Sequence, residues 1–297
     1  MLKNRFLALS LVALSLLTPS ASLAQDTTPT LDRIAQTGKI RIGYGTDAPF
    51  SYPGPDGKII GYSIDLCRGV VERLKHRLGL PAIEIEFVAR TPSNRIQLLN
   101  EGKIDLECNS STNTEERRKS AAFSYSYFYA TTRYVSLAKS KLVTVDDLKG
   151  RSVSVVLGTV NIGPVVEINR KRRLNISVVP AETLQDAFDM VTDGHVSGFA
   201  MDEVLLKMMI ERSPRPQEYS LSTEVVSEPQ PYGLMMRLKD EAFVTAVNDA
   251  LREIYKSPEI NEIYARWFEN PAPGTGVNLG LPMSESLKAS FANPVAP

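Results

Sequence analysis

Between residues 39 and 44 apolar and polar side chains alternate, with Ile40, Ile42 and Tyr44 on one side, which is the period of a strand. The period then changes. Over residues 64–80 the apolar positions Cys67, Val70, Val71, Leu74 and Leu78 recur at helical spacing, and Gly79 suits the helix end. A Pro- and Gly-rich turn at 52–57 separates the two. Ile83, Ile85 and Phe87 mark a second strand and residues 93–100 a short helix; a third strand places Ile104, Leu106 and Cys108 opposite Asp105 and Glu107. The same rhythm resumes with strands at 133–138, 152–157, 176–179 and 196–201, and helices at 162–172, 184–192 and 203–212. A last strand at 232–238 precedes a helix at 241–255 and another opened by Ser257-Pro258 and running to Trp267. From Asn270 the chain is rich in Pro and Gly, with one amphipathic piece at 285–291, and reads as a surface arm. Such alternation predicts an α/β fold of open sheets flanked by helices.

Candidate chemistry gathers at the carboxyl ends of these strands, where open α/β sheets hold their ligands. The third strand runs into six small polar residues, Asn109 to Thr114, followed by Glu115, Glu116 and Arg117. Thr112-x-x-Glu115 fits a capping box, which would set hydroxyls and free N–H groups at a positive helix end beside the planar Arg117 fork. The guest this favours is a carboxylate or phosphate; the alternative is a capped helix with solvated charges. Two further strand ends carry Gly158-Thr159 and Asp202-Glu203, although Asp202 also reads as a helix N-cap. Together the three ends would clamp a small zwitterion between two domains. The halves echo each other, Glu101-Gly102-Lys103-Ile104 leading into one strand and Asp193-Gly194-His195-Val196 into its counterpart.

Composition narrows the setting. Lys and Arg number 34, as do Asp and Glu, so nothing points to nucleic acid or an anionic membrane among the 297 residues. Lys3 and Arg5 precede an uncharged run at 6–17 and then Ser22-Leu23-Ala24, the signature of a secretory signal peptide over residues 1–24. The run is too short to span a bilayer, and no cysteine follows the cut to carry a lipid. In an oxidising compartment Cys67 and Cys108 favour a disulfide over a metal site, with two buried thiols as the alternative. His76, between Lys75 and Arg77, reads as solvated, and His195, after a turn glycine, as structural. No G-x-S-x-G, Walker loop, H-E-x-x-H or Gly-rich dinucleotide motif occurs, so no catalytic residue, metal or cofactor is expected.

The order A-P-F-S-Y at Ala48, G-Y-S-I-D-L at Gly61, N-R-I-x-L-L at Asn94, D-L-E-C at Asp105, E-R at Glu116, A-A-F-S at Ala121, L-K-G-R-S-V at Leu148, M-D at Met201 and Y-G at Tyr232 resembles the periplasmic amino-acid-binding proteins of ABC importers. These form solute-binding protein family 3, and the resemblance is closest to its glutamate/aspartate branch, over residues 31–293. It implies two lobes, residues 31–128 with 233–267 and residues 131–228, joined by two hinge strands near Tyr129 and Pro231, and a C-terminal arm at 270–297. It further implies a periplasmic monomer that closes on one free L-amino acid and delivers it to a membrane permease. Carried over by position, Arg117 would fork onto the α-carboxylate with Thr112 and the Val160 N–H after Gly158-Thr159. Ser110 and Asp202 would hold the α-ammonium, and Arg95 would face an acidic side chain. Three positions depart from the branch: Gly45 stands where it has another arginine, Pro92 where it has a serine, and Leu184 where it has a histidine. The side chain preferred is therefore glutamate/aspartate-like or a related polar or neutral one. The alternative is an exported enzyme on the same fold resembling cyclohexadienyl dehydratase, which would need a positioned acid or base; Asp47 and Glu107 read more simply as surface or structural carboxylates.

Overall fold

The computed structural model describes residues 29–295; the signal peptide expected over 1–24 lies outside them. Two five-stranded sheets repeat one plan. In the first, the spatial order is Glu84–Ala89, Lys39–Tyr44, Leu106–Glu107, Met235–Met236 and Ala122–Phe123. Its first three strands run parallel, with Ile42 opposite Phe87 and Leu106, and Met235–Met236 enters antiparallel. In the second, the order is Ser177–Ala181, Ser152–Val156, Gly198–Asp202, Thr132–Leu137 and Tyr219–Leu221. Again three strands are parallel and the fourth, Thr132–Leu137, is antiparallel. Both antiparallel strands follow closely on a linking pair, Phe128–Ala130 and Gln230–Tyr232, which lie side by side with Pro231 opposite Tyr129. The chain thus crosses between its two lobes twice, as an α/β fold with two hinge strands requires.

The strand expected at 232–238 is in fact two pieces, and the reason is this crossing. Gly233 N donates to Ser111 O (3.0 Å), which turns the chain out of the linking pair before Met235 joins the first sheet. The central strands of the second lobe are buried along most of their length; in Ser152–Val156 the buried Ser154 hydroxyl donates to Ala187 O (2.8 Å). In the first lobe Ile40 and Ile42 share a core with the helix Tyr62–Arg77 through Cys67, Val70, Val71 and Leu74. Aromatic rings fix the linking strands to this core: Phe50 lies edge-on to Phe128 (5.1 Å) and Tyr232 (5.3 Å), and Phe128 stacks on Phe268 (5.1 Å). Each such pair adds about 0.5–1.5 kcal/mol beyond the area it buries.

Cys67 and Cys108 are joined, with their Cα atoms 6.4 Å apart across a sequence separation of 41. Closing a loop of that length restricts the unfolded chain by about 4 kcal/mol on the chain-entropy model. The bond also pins the third strand's end one residue before the polar loop at Asn109. The tail does more than lie along the surface: Leu287 and Phe291 of the helix Glu285–Ala292 are buried, and the Phe291 ring lies 4.4 Å from that of Tyr255. His76 is largely solvated and beside Glu72, whereas His195 is exposed rather than structural, because the turn after Gly194 faces water. No helix among the described residues is long and apolar enough to cross a membrane.

Candidate functional site

Residues just beyond the strand ends of both sheets enclose one cavity of about 300 Å³, counting its open mouth. The first lobe contributes Asp47, Arg90, Arg95, Ser110, Thr112 and Arg117, and the second Thr159, Val160, Asn161 and Leu184. The cavity therefore gathers Arg95, Ser110, Thr112, Arg117, Thr159 and Val160, all singled out in the sequence. Asp202 sits immediately behind the wall, its carboxylate accepting from Asn161 Nδ2 (2.7 Å) and from the Tyr232 hydroxyl. Although Asp202 precedes the helix Glu203–Arg212, its side chain makes no capping bond, so the N-cap reading does not account for it.

Arg117 is positioned by a single helical turn, Glu115–Arg118, whose N-cap is Thr114; the Thr114 hydroxyl accepts from Arg117 N at 3.2 Å. The capping box expected at Thr112 and Glu115 is therefore not formed; the cap is Thr114 alone, two residues on, with Arg117 at the position where a box needs a glutamate. The cause is the linking strand: Thr112 bridges to Tyr232 and Asn113 N donates to Pro231 O (2.8 Å), which holds this stretch extended. One turn carries little dipole, so attraction for an anion rests on the guanidinium groups. Arg117 donates through Nη1 to Thr112 O (2.8 Å) and through Nη2 to Gly158 O (2.9 Å). Arg95 donates to Pro92 O and, at 3.2 Å, to the same Gly158 oxygen. One carbonyl of the second lobe therefore receives two arginines of the first. Gly158 has φ +78°, and a Cβ there would stand 2.5 Å from Pro92 O, so the approach of the lobes at this point requires glycine.

The family described as bacterial extracellular solute-binding proteins, family 3, matches residues 40–270. The chain belongs to this family. It is 36% identical over 288 residues to the L-glutamate/L-aspartate-binding protein of Pseudomonas aeruginosa, covering 96% of this chain and 95% of that one. It is 33% identical over 297 residues to the glutamate/aspartate import solute-binding protein of Escherichia coli, covering 97% and 96%. Among solved structures, a mutant of ArgBP from T. maritima superposes with a TM-score of 0.70 at 28% identity, over 80% of this chain and 98% of that one. This chain is accordingly a solute-binding protein, and the relatives it matches are named as binding proteins rather than enzymes.

The charges of the solute-binding protein's cavity are poorly met by its own side chains. Arg95 is 4% exposed; burial draws its pKa down to about 9, and the like charges of Arg117 and Arg90 add to the pull. Burial likewise draws Arg117 to about 10, against the favourable pull of Glu107 and Asp202. A guanidinium keeps its proton at neutral pH in either case, so the shifts measure unmet charge that an anionic guest would satisfy. Burial raises Asp202, opposed by its bonds from Tyr232 and Asn161 and by Arg117, which leaves a carboxylate in want of a cation. Asp47 and Glu107 are not surface groups: both are buried beside Arg90, Glu107 at 2.7 Å and Asp47 at 3.7 Å from its Nη2. Asp47 also accepts from Asn109 and, at 3.0 Å, from the Ser110 hydroxyl. Both carboxylates are engaged as counter-ions rather than poised as an acid or base.

Sequence reasoning assigned no role to Arg90, Asn161 or Tyr232. For Arg90 a signal was present: it directly follows the strand Glu84–Ala89, and the carboxyl-end rule applies to that strand as it does to the others. Asn161 and Tyr232 act on Asp202 from distant parts of the chain, a relation that only the fold creates.

Proposed function

We propose that this solute-binding protein captures one free L-amino acid in the periplasm by closing residues 31–128 with 233–267 onto residues 131–228, and delivers it to the permease of an ABC importer. The carrying observation is the charge pattern of one cavity, with guanidinium forks on one lobe and an uncompensated buried carboxylate behind the wall of the other. That is the complement of a zwitterion, whose two charges are tolerable in a buried site only when both are paired and hydrogen-bonded. The α-carboxylate takes the Arg117 fork, with Thr112, Thr159 and the Val160 N–H beside it. The α-ammonium takes Asp202 and Ser110, and the side chain extends toward Arg95. Relatives named for glutamate and aspartate favour an acidic ligand, while Gly45, Pro92 and Leu184 alter the wall around it. Residues 1–24 act as the export signal, residues 270–297 form an arm, and the protein works as a monomer without nucleic acid.

Ligand contacts from both lobes stabilise the closed form, which is how a permease tells loaded from empty protein. A thermal-shift panel on protein unfolded, dialysed and refolded to remove carried ligand tests this against the common L-amino acids. A ligand at a hundred times its Kd adds about 2.7 kcal/mol to the native state. At least one amino acid should raise the midpoint; no response to any of them would end the proposal.

A further inference from the structure

We infer that Arg90 is a specificity-determining residue of this site, and that it selects a dicarboxylic amino acid by sharing the ligand's side-chain carboxylate with Arg95. The inference rests on the proposed function and concerns this chain's own departure from its relatives at Gly45.

Gly45 and Arg90 are a matched pair. They end neighbouring parallel strands, Lys39–Tyr44 and Glu84–Ala89, and Arg90 N donates to Tyr44 O (2.9 Å). A Cβ built on Gly45 would stand 3.2 Å from Arg90 Cζ, 3.3 Å from its Nη1 and 2.5 Å from Asn109 Nδ2. The Asn109 amide and, beside it, the Arg90 guanidinium therefore fill the space into which a side chain at position 45 would project. Arg90 thus reaches the cavity from the end of the second strand, over a position 45 that carries no side chain of its own.

Arg90 is placed and charged for the task. It lines the same cavity as Arg95 and Arg117, and its side chain is 2% exposed. Three guanidinium groups stand on that wall against one carboxylate, Asp47. The Nε donors of Arg90 and Arg95 are both buried without a hydrogen-bond partner among the described residues. Glu107, 2.7 Å from Arg90 Nη2, supplies charge, yet neither of its oxygens makes a hydrogen bond. Arg117 is directed at the α-carboxylate. That leaves the Nε donors of Arg90 and Arg95 for a second carboxylate, which accepts from both as a carboxamide, with one oxygen and two donors of its own, does not.

The test compares dissociation constants for L-glutamate and L-glutamine, near-isosteric ligands, on refolded protein. The unaltered protein should prefer glutamate by at least tenfold, and Arg90→Met should lower that preference at least tenfold. Arg90→Lys, which keeps the charge but not the fork, should restore part of it. Since Arg90→Met strands the buried Glu107, the pair Arg90→Met/Glu107→Gln removes both charges together and is read the same way. An unchanged preference in these variants overturns the role of Arg90 while leaving amino-acid capture intact. Preference of the unaltered protein for glutamine overturns the acidic assignment. Failure of the unaltered protein to bind any L-amino acid overturns the proposed function and this inference with it.

Discussion

Replacing Arg117 by alanine isolates the contact on which the proposed amino-acid capture depends. The Arg117 side chain is partly exposed and sits on a one-turn helix, and it donates to two backbone carbonyls, Thr112 O and Gly158 O, rather than to a buried carboxylate. Its backbone N–H is held by the Thr114 cap, which the substitution leaves in place. Truncation therefore leaves two carbonyl oxygens facing cavity water, and the unfolding midpoint of the empty protein should move little. The bound state is affected far more. Breaking a buried ion pair by removing one partner costs roughly 3–5 kcal/mol, which is about 150- to 5,000-fold in Kd. Partial exposure of Arg117 places the expectation at the lower end. Calorimetric titration with the ligand that most raises the melting midpoint measures the loss directly. Affinity retained within about tenfold (~1.4 kcal/mol) would refute the assignment of the α-carboxylate to Arg117.

Three further predictions follow from the same geometry. Gly158→Ala combines a positive φ, worth roughly 1–3 kcal/mol of strain in a non-glycine residue, with a Cβ 2.5 Å from Pro92 O in the closed form; affinity should fall at least tenfold and small-angle scattering should show weaker compaction on ligand addition. Burial raises Asp202 above the ordinary carboxylate range, so its charge is lost early on acidification. The empty protein gains stability as Asp202 takes up its proton, while affinity for the ligand's ammonium falls. Titrations at decreasing pH should show this loss in the unaltered protein and a flatter, weaker profile in Asp202→Asn; a flat profile in both would contradict it. Reducing the Cys67–Cys108 bond removes about 4 kcal/mol of restriction on the unfolded chain, which in a protein of this size lowers the midpoint by roughly 8–16 °C; unchanged melting after reduction and alkylation would show that the bond contributes nothing.

Much of this molecule was legible in its sequence because its signals are local. The bounds of Lys39–Tyr44, Ile162–Arg172, Leu184–Thr192 and Glu203–Arg212 follow from side-chain period and punctuation alone. The same is true of the cavity's hydroxyls and of Arg117, since strand ends in an open α/β sheet converge by construction. What escaped was set at a distance. The helix cap moved from Thr112 to Thr114 because a strand more than a hundred residues later pulls Thr112 straight. The 232–238 strand split because its first part belongs to the hinge and its second to a sheet. Asp47 and Glu107 read as surface or structural carboxylates, and only their pairing with Arg90 decides for the second; Gly45 reads as a missing contact without the Asn109 and Arg90 side chains beside it. In each case the pairing lies between segments whose adjacency only the sheet order supplies.

Equilibrium dialysis of stripped, refolded protein against labelled L-glutamate tests the central claim most directly. The account predicts one ligand bound per chain at saturation, displaced by excess L-aspartate, and lost in Arg117→Ala. No retention of glutamate, and no displaceable retention of any other L-amino acid, would contradict it.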